Sequence, residues 1–302
     1  MIEGDKAISG VINKQMAREW FVRCLSCSEA MFTILNRGRG IELPLLEQAA
    51  HPLAGGFLRQ GHACGMAWGM GLAAGVRAAQ RFSDAEEAVE AALLVMTRAG
   101  GEFASLAGSI NCREITDCAL TTFSGRLRYL LFGKADHCTR LCIKWAPLAD
   151  ELIERELSGF QKSGAADNCA AAALRACAGA LEVEADPAAA AAFAGGLGLS
   201  GNVCGALAAA VLAQGIWFYQ SSGGRRDGLV KAALQEMGLS DALSRGPERL
   251  RQEFIARFGS ELCAELTGRS FSSPAELSAF IGGGGCAELL SALPELAAET
   301  VR

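Results

Sequence analysis

The sequence GHACG at residues 61–65 decides how this chain is organised, because a related sequence, GNVCG, follows at residues 201–205. In both copies a Gly-Gly pair begins nine residues before the cysteine, at Gly55 and at Gly195. Each Cys-Gly opens a long apolar stretch that is typical of a buried helix. An internal repeat defines the architecture of a chain, so we expect two copies of one structural unit.

Cysteines extend this match through both halves of the chain. The order in each half is cysteine, Gly-Gly, Cys-Gly, Cys-x-Glu-aliphatic-Thr and a last cysteine. Eight of the twelve cysteines occupy matched places: Cys27, Cys64, Cys112, Cys138, Cys169, Cys204, Cys263 and Cys286. Filling of core space by small apolar side chains explains such a repeated pattern poorly. Core filling is a better explanation for the unmatched Cys118 and Cys177. The roles of Cys24 and Cys142 stay open.

The length and composition suit two helical domains. The 302 residues divide into two units near the usual domain size. We assign the first four-cysteine repeat to residues 1–160 and the second to residues 161–302, which begin with a polar linker. Hydrophobic residues make up 51 % of the chain, and no strand-like alternation of useful length occurs. The sequence predicts an all-α fold of two similar multi-helix units packed as a pseudo-twofold pair, since a fused duplication can reproduce a homodimer's contact.

The charge pattern bears on partners and compartment. The net charge is −5 and no Lys/Arg-rich run occurs, which disfavours nucleic acid as a partner. Acidic residues near the N-terminus replace the basic region of a signal peptide, so a cytoplasmic location is expected. In a reducing compartment, twelve cysteines indicate metal ligands or redox function more than a disulfide framework.

One long segment without charged residues, 187–224, has the length of a membrane span. Glycines interrupt it, much of it is alanine, and the equivalent stretch of the first repeat contains His51, Arg59, His62 and Arg77. We expect this segment to be buried in protein, without membrane insertion.

The local pattern places several cysteines at helix ends. Apolar residues at three- and four-residue steps predict one helix from Lys14 to Leu35, with Cys24 and Cys27 as neighbours on it. A further helix is predicted over Gly65–Gln80, with its equivalent over Gly205–Gln220. Cys64 and Cys204 precede these two helices, where free N–H groups and the helix dipole favour a thiolate.

The sequence therefore predicts Cys64 and Cys204 as the most reactive thiols, although a glycine-lined helix crossing in which Cys64 only packs would give the same pattern. His62 is an extra ligand or proton donor in one interpretation and a partly exposed turn residue in the other. In the second repeat, another helix is predicted over Gly228–Met237.

These residues resemble the C_GCAxxG_C_C family of redox-active proteins, which are small and mainly helical with four characteristic cysteines. The second cysteine of the family lies in Cys-Gly-Ala-x-x-Gly. Residues 64–69 keep the last glycine but have Met66 for the alanine, and residues 204–209 keep the alanine but have Ala209 for the last glycine. The resemblance covers nearly the whole chain as two fused copies. It implies a site of four cysteines in each repeat, formed by the eight matched residues.

Three functions follow from this pattern. Four thiolates per repeat suit an iron–sulfur cluster or similar metal centre for electron transfer, and a related domain in the split-Soret type of cytochrome c is associated with an iron–sulfur centre. The second function is a dithiol/disulfide redox protein without metal, in which Cys64 and Cys204 are the activated thiols. The third is a zinc-binding or purely structural interaction protein. The expected partner is a redox protein, a small thiol or another electron donor, and a homo-oligomer is compatible with all three.

Overall fold

The computed structural model describes residues 12–165, 167–222 and 242–301, with side chains from residue 245 in the last range. Helices carry the fold throughout these ranges, and their only β pairing consists of two isolated bridges. The all-α prediction is thus confirmed. The helix predicted over Gly228–Met237 lies outside the described residues.

Eight α-helices and one 3-10 turn (His51–Leu53) build the first repeat. The α-helices are α1 (Lys14–Cys24), α2 (Cys27–Arg37), α3 (Pro44–Ala49), α4 (Gly65–Arg81), α5 (Ala85–Ala107), α6 (Cys112–Thr116), α7 (Phe123–Leu131) and α8 (Lys134–Ser158).

The described part of the second repeat follows the same plan. Its helices are α9 (Cys169–Ala180), α10 (Ala188–Ala191), α11 (Gly205–Ser221), α12 (Ala242–Phe258), α13 (Cys263–Thr267), α14 (Pro274–Gly282) and α15 (Ala287–Thr300).

The single helix predicted from Lys14 to Leu35 is two helices. Leu25 has a φ of 56°, in the left-handed region that ends a right-handed helix, and the chain restarts after the extended residue Ser26. Cys24 therefore ends α1 and Cys27 begins α2, so the two cysteines are not neighbours on one helix. This break gives Cys27 the position at a helix N-terminus that the sequence had predicted to activate Cys64 and Cys204.

The repeated Gly-Gly pair begins a left-handed helical turn. Residues 55–59 and residues 195–199 all have φ between 50° and 78°. Backbone hydrogen bonds close both turns in the same way, from Gly61 to Gly55 (3.1 Å) in the first repeat and from Gly201 to Gly195 (3.0 Å) in the second. A left-handed conformation costs about 1–2 kcal/mol per non-glycine residue. Its presence in both repeats indicates a specific requirement for this geometry.

Backbone hydrogen bonds hold the loop before the second cysteine of each repeat against the segment that contains the third cysteine. In the first repeat the backbone N–H of Cys64 donates to Ile110 (2.7 Å) and that of Cys112 donates to His62 (2.7 Å). In the second repeat the N–H of Cys204 donates to the carbonyl of Glu261 (2.8 Å), and that of Cys263 to the carbonyl of Asn202 (2.7 Å). These pairs fix the start of α6 beside the start of α4, and that of α13 beside that of α11.

The two repeats share one core and exchange equivalent contacts. Gly75 of α4 packs against Ala188 and Ala189, while Gly215, its equivalent in α11, packs against Ala49 of α3. Trp68 is fully buried and meets Phe193 of the other repeat edge-to-face, with ring centroids 4.8 Å apart. Reciprocal contacts of this kind are what an approximate twofold produces. The twofold relation itself stays a prediction.

The segment without charged residues is buried where the structure describes it, since most of 188–216 is inaccessible to solvent. No single described helix has the length and hydropathy to cross a membrane. Pro274–Gly282 and Ala287–Thr300 reach that threshold only when taken together, with a bend of 82° between them.

Candidate redox site

Cys27 lies at the N-terminus of α2, where backbone N–H groups surround its sulfur. The N–H groups of Gly55, Gly65 and Cys27 itself hydrogen-bond to Sγ, and the thiol of Cys64 is its side-chain partner. The hydrogen bond with Cys64 contributes most, and together with the backbone donors it stabilises the thiolate and outweighs the cost of burial, so the pKa of Cys27 is lowered from 9.0 to about 7. Gly65 is required here because a Cβ atom at this position would overlap with the Cys27 sulfur.

Cys64 is the N-cap residue of α4, as predicted. Its surroundings, however, raise the pKa of its thiol, whereas the sequence predicted that the helix N-terminus would lower it. The hydrogen bond with Cys27 and complete burial raise the pKa of the Cys64 thiol well above its usual value. The two thiols titrate as a pair, in which the first thiolate is held at Cys27 and Cys64 keeps its proton. The sequence had placed the more acidic thiol at Cys64. The difference arises because the Cys64 thiol hydrogen-bonds to Cys27, and because the backbone N–H groups of Gly55, Gly65 and Cys27 also point at the Cys27 sulfur.

Cys112 and Cys138 complete the first set and lie close enough to Cys27 for their charges to interact. Burial raises the pKa of both thiols, that of Cys138 to about 12, and Tyr129 hydrogen-bonds to Cys138. All four matched cysteines of the first repeat line one cavity of about 1090 Å³. The structure therefore brings together the four residues that the sequence selected, around a space open to a ligand.

The donor set has the soft sulfur chemistry of zinc and iron–sulfur sites. Within the described residues, however, no three His, Cys, Asp or Glu side chains are placed as a group that could hold a metal ion. The thiols are arranged as a hydrogen-bonded pair with two further neighbours. As placed, these residues do not fit a bound metal or cluster.

The second set is also assembled but is paired differently. Cys169 hydrogen-bonds to Cys286, and the N–H of Gly195 donates to the Cys169 sulfur as Gly55 does to Cys27. The Cys286 contact and burial raise the pKa of Cys169. Burial raises the pKa of Cys204 to about 12, although the N–H groups of Ala206 and Leu207 oppose the increase.

Cys263 has its pKa raised, mainly by burial and then by Cys204 and Cys169. All four thiols of the second set are buried, whereas Cys27 is the one matched cysteine with intermediate exposure.

The unmatched cysteines lie in packed surroundings. The Cys118 thiol donates to the carbonyl of Thr116 (3.3 Å) and lies near Cys112 and Cys138. Burial alone raises the pKa of Cys177 to about 12, and burial is the main cause of the raised pKa of Cys142. Cys24 is buried at the end of α1. Cys118 thus belongs to the neighbourhood of the first site, whereas Cys177 fits the core-filling interpretation.

Sequence reasoning missed several polar residues near the first site. His51 and Glu29 form a buried pair with 3.6 Å between Nδ1 and Oε2, and His51 lines the cavity. Arg59, Arg126 and Tyr129 line it as well. A comparison of the two repeats could have identified two of these residues, since His51 and Arg59 correspond to the apolar Ala191 and Leu199.

His62 is neither a ligand of the first site nor a simple exposed turn residue. Its Nε2 lies 2.9 Å from Oε1 of Glu261 in the other repeat, and Arg251 binds the same carboxylate. His62 therefore joins the two repeats.

The geometry defines a class of protein, a duplicated helical protein with a cluster of cysteines in each copy. The sequence profile described as "Putative redox-active protein (C_GCAxxG_C_C)" matches residues 25–152 and 167–300. The chain belongs to this family and contains two copies of its domain. The searches of curated proteins and of solved structures gave no match.

Proposed function

We propose that the first repeat is a dithiol/disulfide redox centre in which Cys27 is the attacking thiol and Cys64 the resolving thiol. The observation that carries this proposal is the contact between the two sulfurs at the wall of an open cavity, with backbone N–H groups directed at one of them. A thiolate is the nucleophile in thiol–disulfide exchange, and it attacks best when its pKa lies near the ambient pH. Cys27 meets this condition and Cys64 does not.

The electron balance of the reaction is that of a dithiol. Two thiols lose two electrons and two protons to an oxidised disulfide partner, and one S–S bond forms between Cys27 and Cys64. Cys27 attacks first, giving a mixed disulfide with the partner. Cys64 then releases its proton and attacks the Cys27 sulfur, which displaces the second half of the partner.

Trapping of the mixed disulfide tests these roles. With bis(2-hydroxyethyl) disulfide, Cys64→Ser should accumulate a mixed disulfide on Cys27 because no resolving thiol remains. Cys27→Ser should form an adduct on Cys64 far more slowly, since burial still raises the pKa of the Cys64 thiol when the Cys27 thiol is gone. Cys177→Ser is the matched control and should behave as the unmodified protein. A stable adduct on Cys64 in Cys27→Ser, formed as fast as the Cys27 adduct, would reverse the assignment.

A metal centre is the second candidate, and one observation favours it: four thiols line the same cavity in the first repeat. A metal centre would require these four sulfurs to reach metal–sulfur distances of about 2.3 Å, which their described placement does not give. Protein purified without oxygen can be analysed for iron, zinc and visible absorption. Iron with broad visible absorption would support a cluster, and zinc in a colourless protein would support a structural site. Metal-free protein with free thiols would support the dithiol.

A further inference from the structure

Arginines dominate the charged residues around the cavity beside Cys27. Four arginines stand among its described lining residues: Arg59, which also has an interaction within the protein, Arg126, Arg245 and Arg249. The one acid among its described lining residues is Glu248, which already pairs with Arg251 (3.0 Å). The whole chain has 33 acidic residues against 28 lysines and arginines. Among the described lining residues the charge balance is thus opposite to that of the protein, and a cleft lined by one sign of charge concentrates ligands of the other sign.

Arg126 is held by hydrogen bonds to neutral groups, so these contacts do not neutralise its positive charge. Its Nη1 donates to the carbonyl oxygens of Leu120 (3.1 Å) and Thr121 (3.2 Å), which are neutral acceptors. Its Nε is buried and has no hydrogen-bond partner within the described part of the chain. A buried donor without an acceptor costs free energy, so the hydrogen bonds of the described residues do not fully satisfy this guanidinium group.

The second repeat builds the equivalent elements with apolar residues at two of these arginine positions. Arg59 ends the left-handed turn of the first repeat with a φ of 64°, and Leu199 ends the second with a φ of 66°. Arg126 follows the capping residue Thr122 by four positions, as Leu277 follows the capping residue Ser273. At these two positions that border the cavity, arginine in the first repeat thus stands where the second repeat has leucine.

The cavity also has an apolar part. Phe21, Trp217 and Phe218 line it together with the arginines. Its volume, about 1090 Å³, is at the upper end of the range for small-molecule sites. Apolar walls with a few charged groups suit an organic molecule that carries its charge at particular positions.

We propose that this cavity binds a small organic disulfide with carboxylate or other anionic groups near its S–S bond. The proposal rests on the dithiol function proposed above and adds the chemical class of the oxidant. The Cys27 thiolate attacks one sulfur of R–S–S–R, forming Cys27–S–S–R and releasing one RSH after protonation. The Cys64 thiolate then forms the Cys27–Cys64 bond and releases the second RSH. One disulfide is reduced to two thiols, and the protein dithiol loses two electrons and two protons.

Three small disulfides of similar size and different charge test this inference. They are 3,3′-dithiodipropionic acid (anionic), bis(2-hydroxyethyl) disulfide (neutral) and cystamine (cationic). The oxidation rate of the full chain with each is divided by the rate of 2-mercaptoethanol with the same disulfide, which removes differences in intrinsic reactivity. The anionic compound should react about tenfold or more faster than the cationic one at low salt, and the difference should shrink at high salt.

Charge variants locate the effect. Arg126→Gln and Arg249→Gln should each reduce the preference for the anionic disulfide, whereas Arg175→Gln, at an exposed site on α9, should not. Equal normalised rates for all three compounds would overturn this inference and leave the dithiol function intact. Failure of all three to oxidise Cys27 and Cys64 would overturn the dithiol function itself.

Discussion

The low pKa of Cys27 depends on hydrogen bonds, first with the Cys64 thiol and then with backbone N–H groups, rather than on a charged side chain. N–H groups from the Gly-Gly turn, from the start of α4 and from its own helix converge on one sulfur. Such donors cannot be removed by titration, and they favour the thiolate over a wide pH range. The neighbouring Cys64 shares its proton with this sulfur and becomes the less acidic member of the pair.

The pH dependence of alkylation follows from these shifts. The pKa of Cys27 is lowered, so its thiolate persists down to about pH 7 and is lost below it. Its reaction with iodoacetamide should reach half of the maximal rate near pH 7, measured by peptide mass spectrometry. Cys138 and Cys204, each with a pKa raised to about 12, should stay unmodified at pH 8. A Cys204 that reacts as fast as Cys27 would contradict this account.

Substitution of Gly65 tests the packing around the sulfur. Gly65→Ala should push the Cys27 sulfur away from its donors, raise the pKa of Cys27 toward its usual value and destabilise the protein by roughly 1–3 kcal/mol. Alkylation against pH and urea unfolding measure the two effects.

Gly101→Ala is the control for Gly65→Ala, because this helical glycine of α5 has no neighbouring atom within 4 Å of a built Cβ. It should leave the pKa of Cys27 unchanged and raise stability by up to about 1 kcal/mol. If both variants leave the Cys27 pKa where it was, Gly65 has no role at the sulfur.

The left-handed turn is the element that sequence reasoning could locate but not describe. The repeated Gly-Gly pair marked its position. The residue types at Phe57, Leu58 and Arg59 did not indicate positive φ, because non-glycine residues disfavour that conformation. Tertiary hydrogen bonds impose the geometry, and they are invisible to local propensity. The break at Leu25 escaped prediction for the same reason, whereas α4 and α11 were placed correctly because Cys-Gly precedes a long apolar run in both repeats.

Gly56 should be the most sensitive position of this turn. It has a φ of 77°, and a Cβ here would lie 2.5 Å from the backbone nitrogen and oxygen of His62. Gly56→Ala should destabilise the protein by roughly 2–5 kcal/mol, since backbone strain and overlap add. Gly268→Ala, at a φ of 65° with no atom within 4 Å, should cost only about 1 kcal/mol. Equal unfolding free energies for the two variants would show that the turn is not held rigidly.

The two repeats share the same arrangement of helices and cysteines but differ in which cysteines are hydrogen-bonded to each other. Both repeats place four cysteines together and form the same turn, but the first pairs Cys27 with Cys64 and the second pairs Cys169 with Cys286. The sequence identified the eight residues because their order repeats. It did not show which sulfurs pair, because that depends on side-chain packing across distant segments.

The two repeats should therefore differ in reactivity. Cys27 is partly exposed on an open cavity, while the matched cysteines of the second repeat are buried. Limited treatment of the folded protein with a neutral thiol reagent should label Cys27 well before Cys169. Labelling after unfolding should remove the difference. Equal labelling of the two residues in the folded state would show that the repeats are equivalent.

Disulfide mapping of the intact chain tests the central claim most directly. Protein purified without oxygen is equilibrated in thiol–disulfide buffers of graded potential, the remaining thiols are alkylated, and the peptides are mapped by mass spectrometry. We expect a Cys27–Cys64 disulfide to form first, in a single two-electron transition. Pairing of Cys27 with a different cysteine, or four thiols of the first repeat protected together by bound iron or zinc, would contradict the dithiol account.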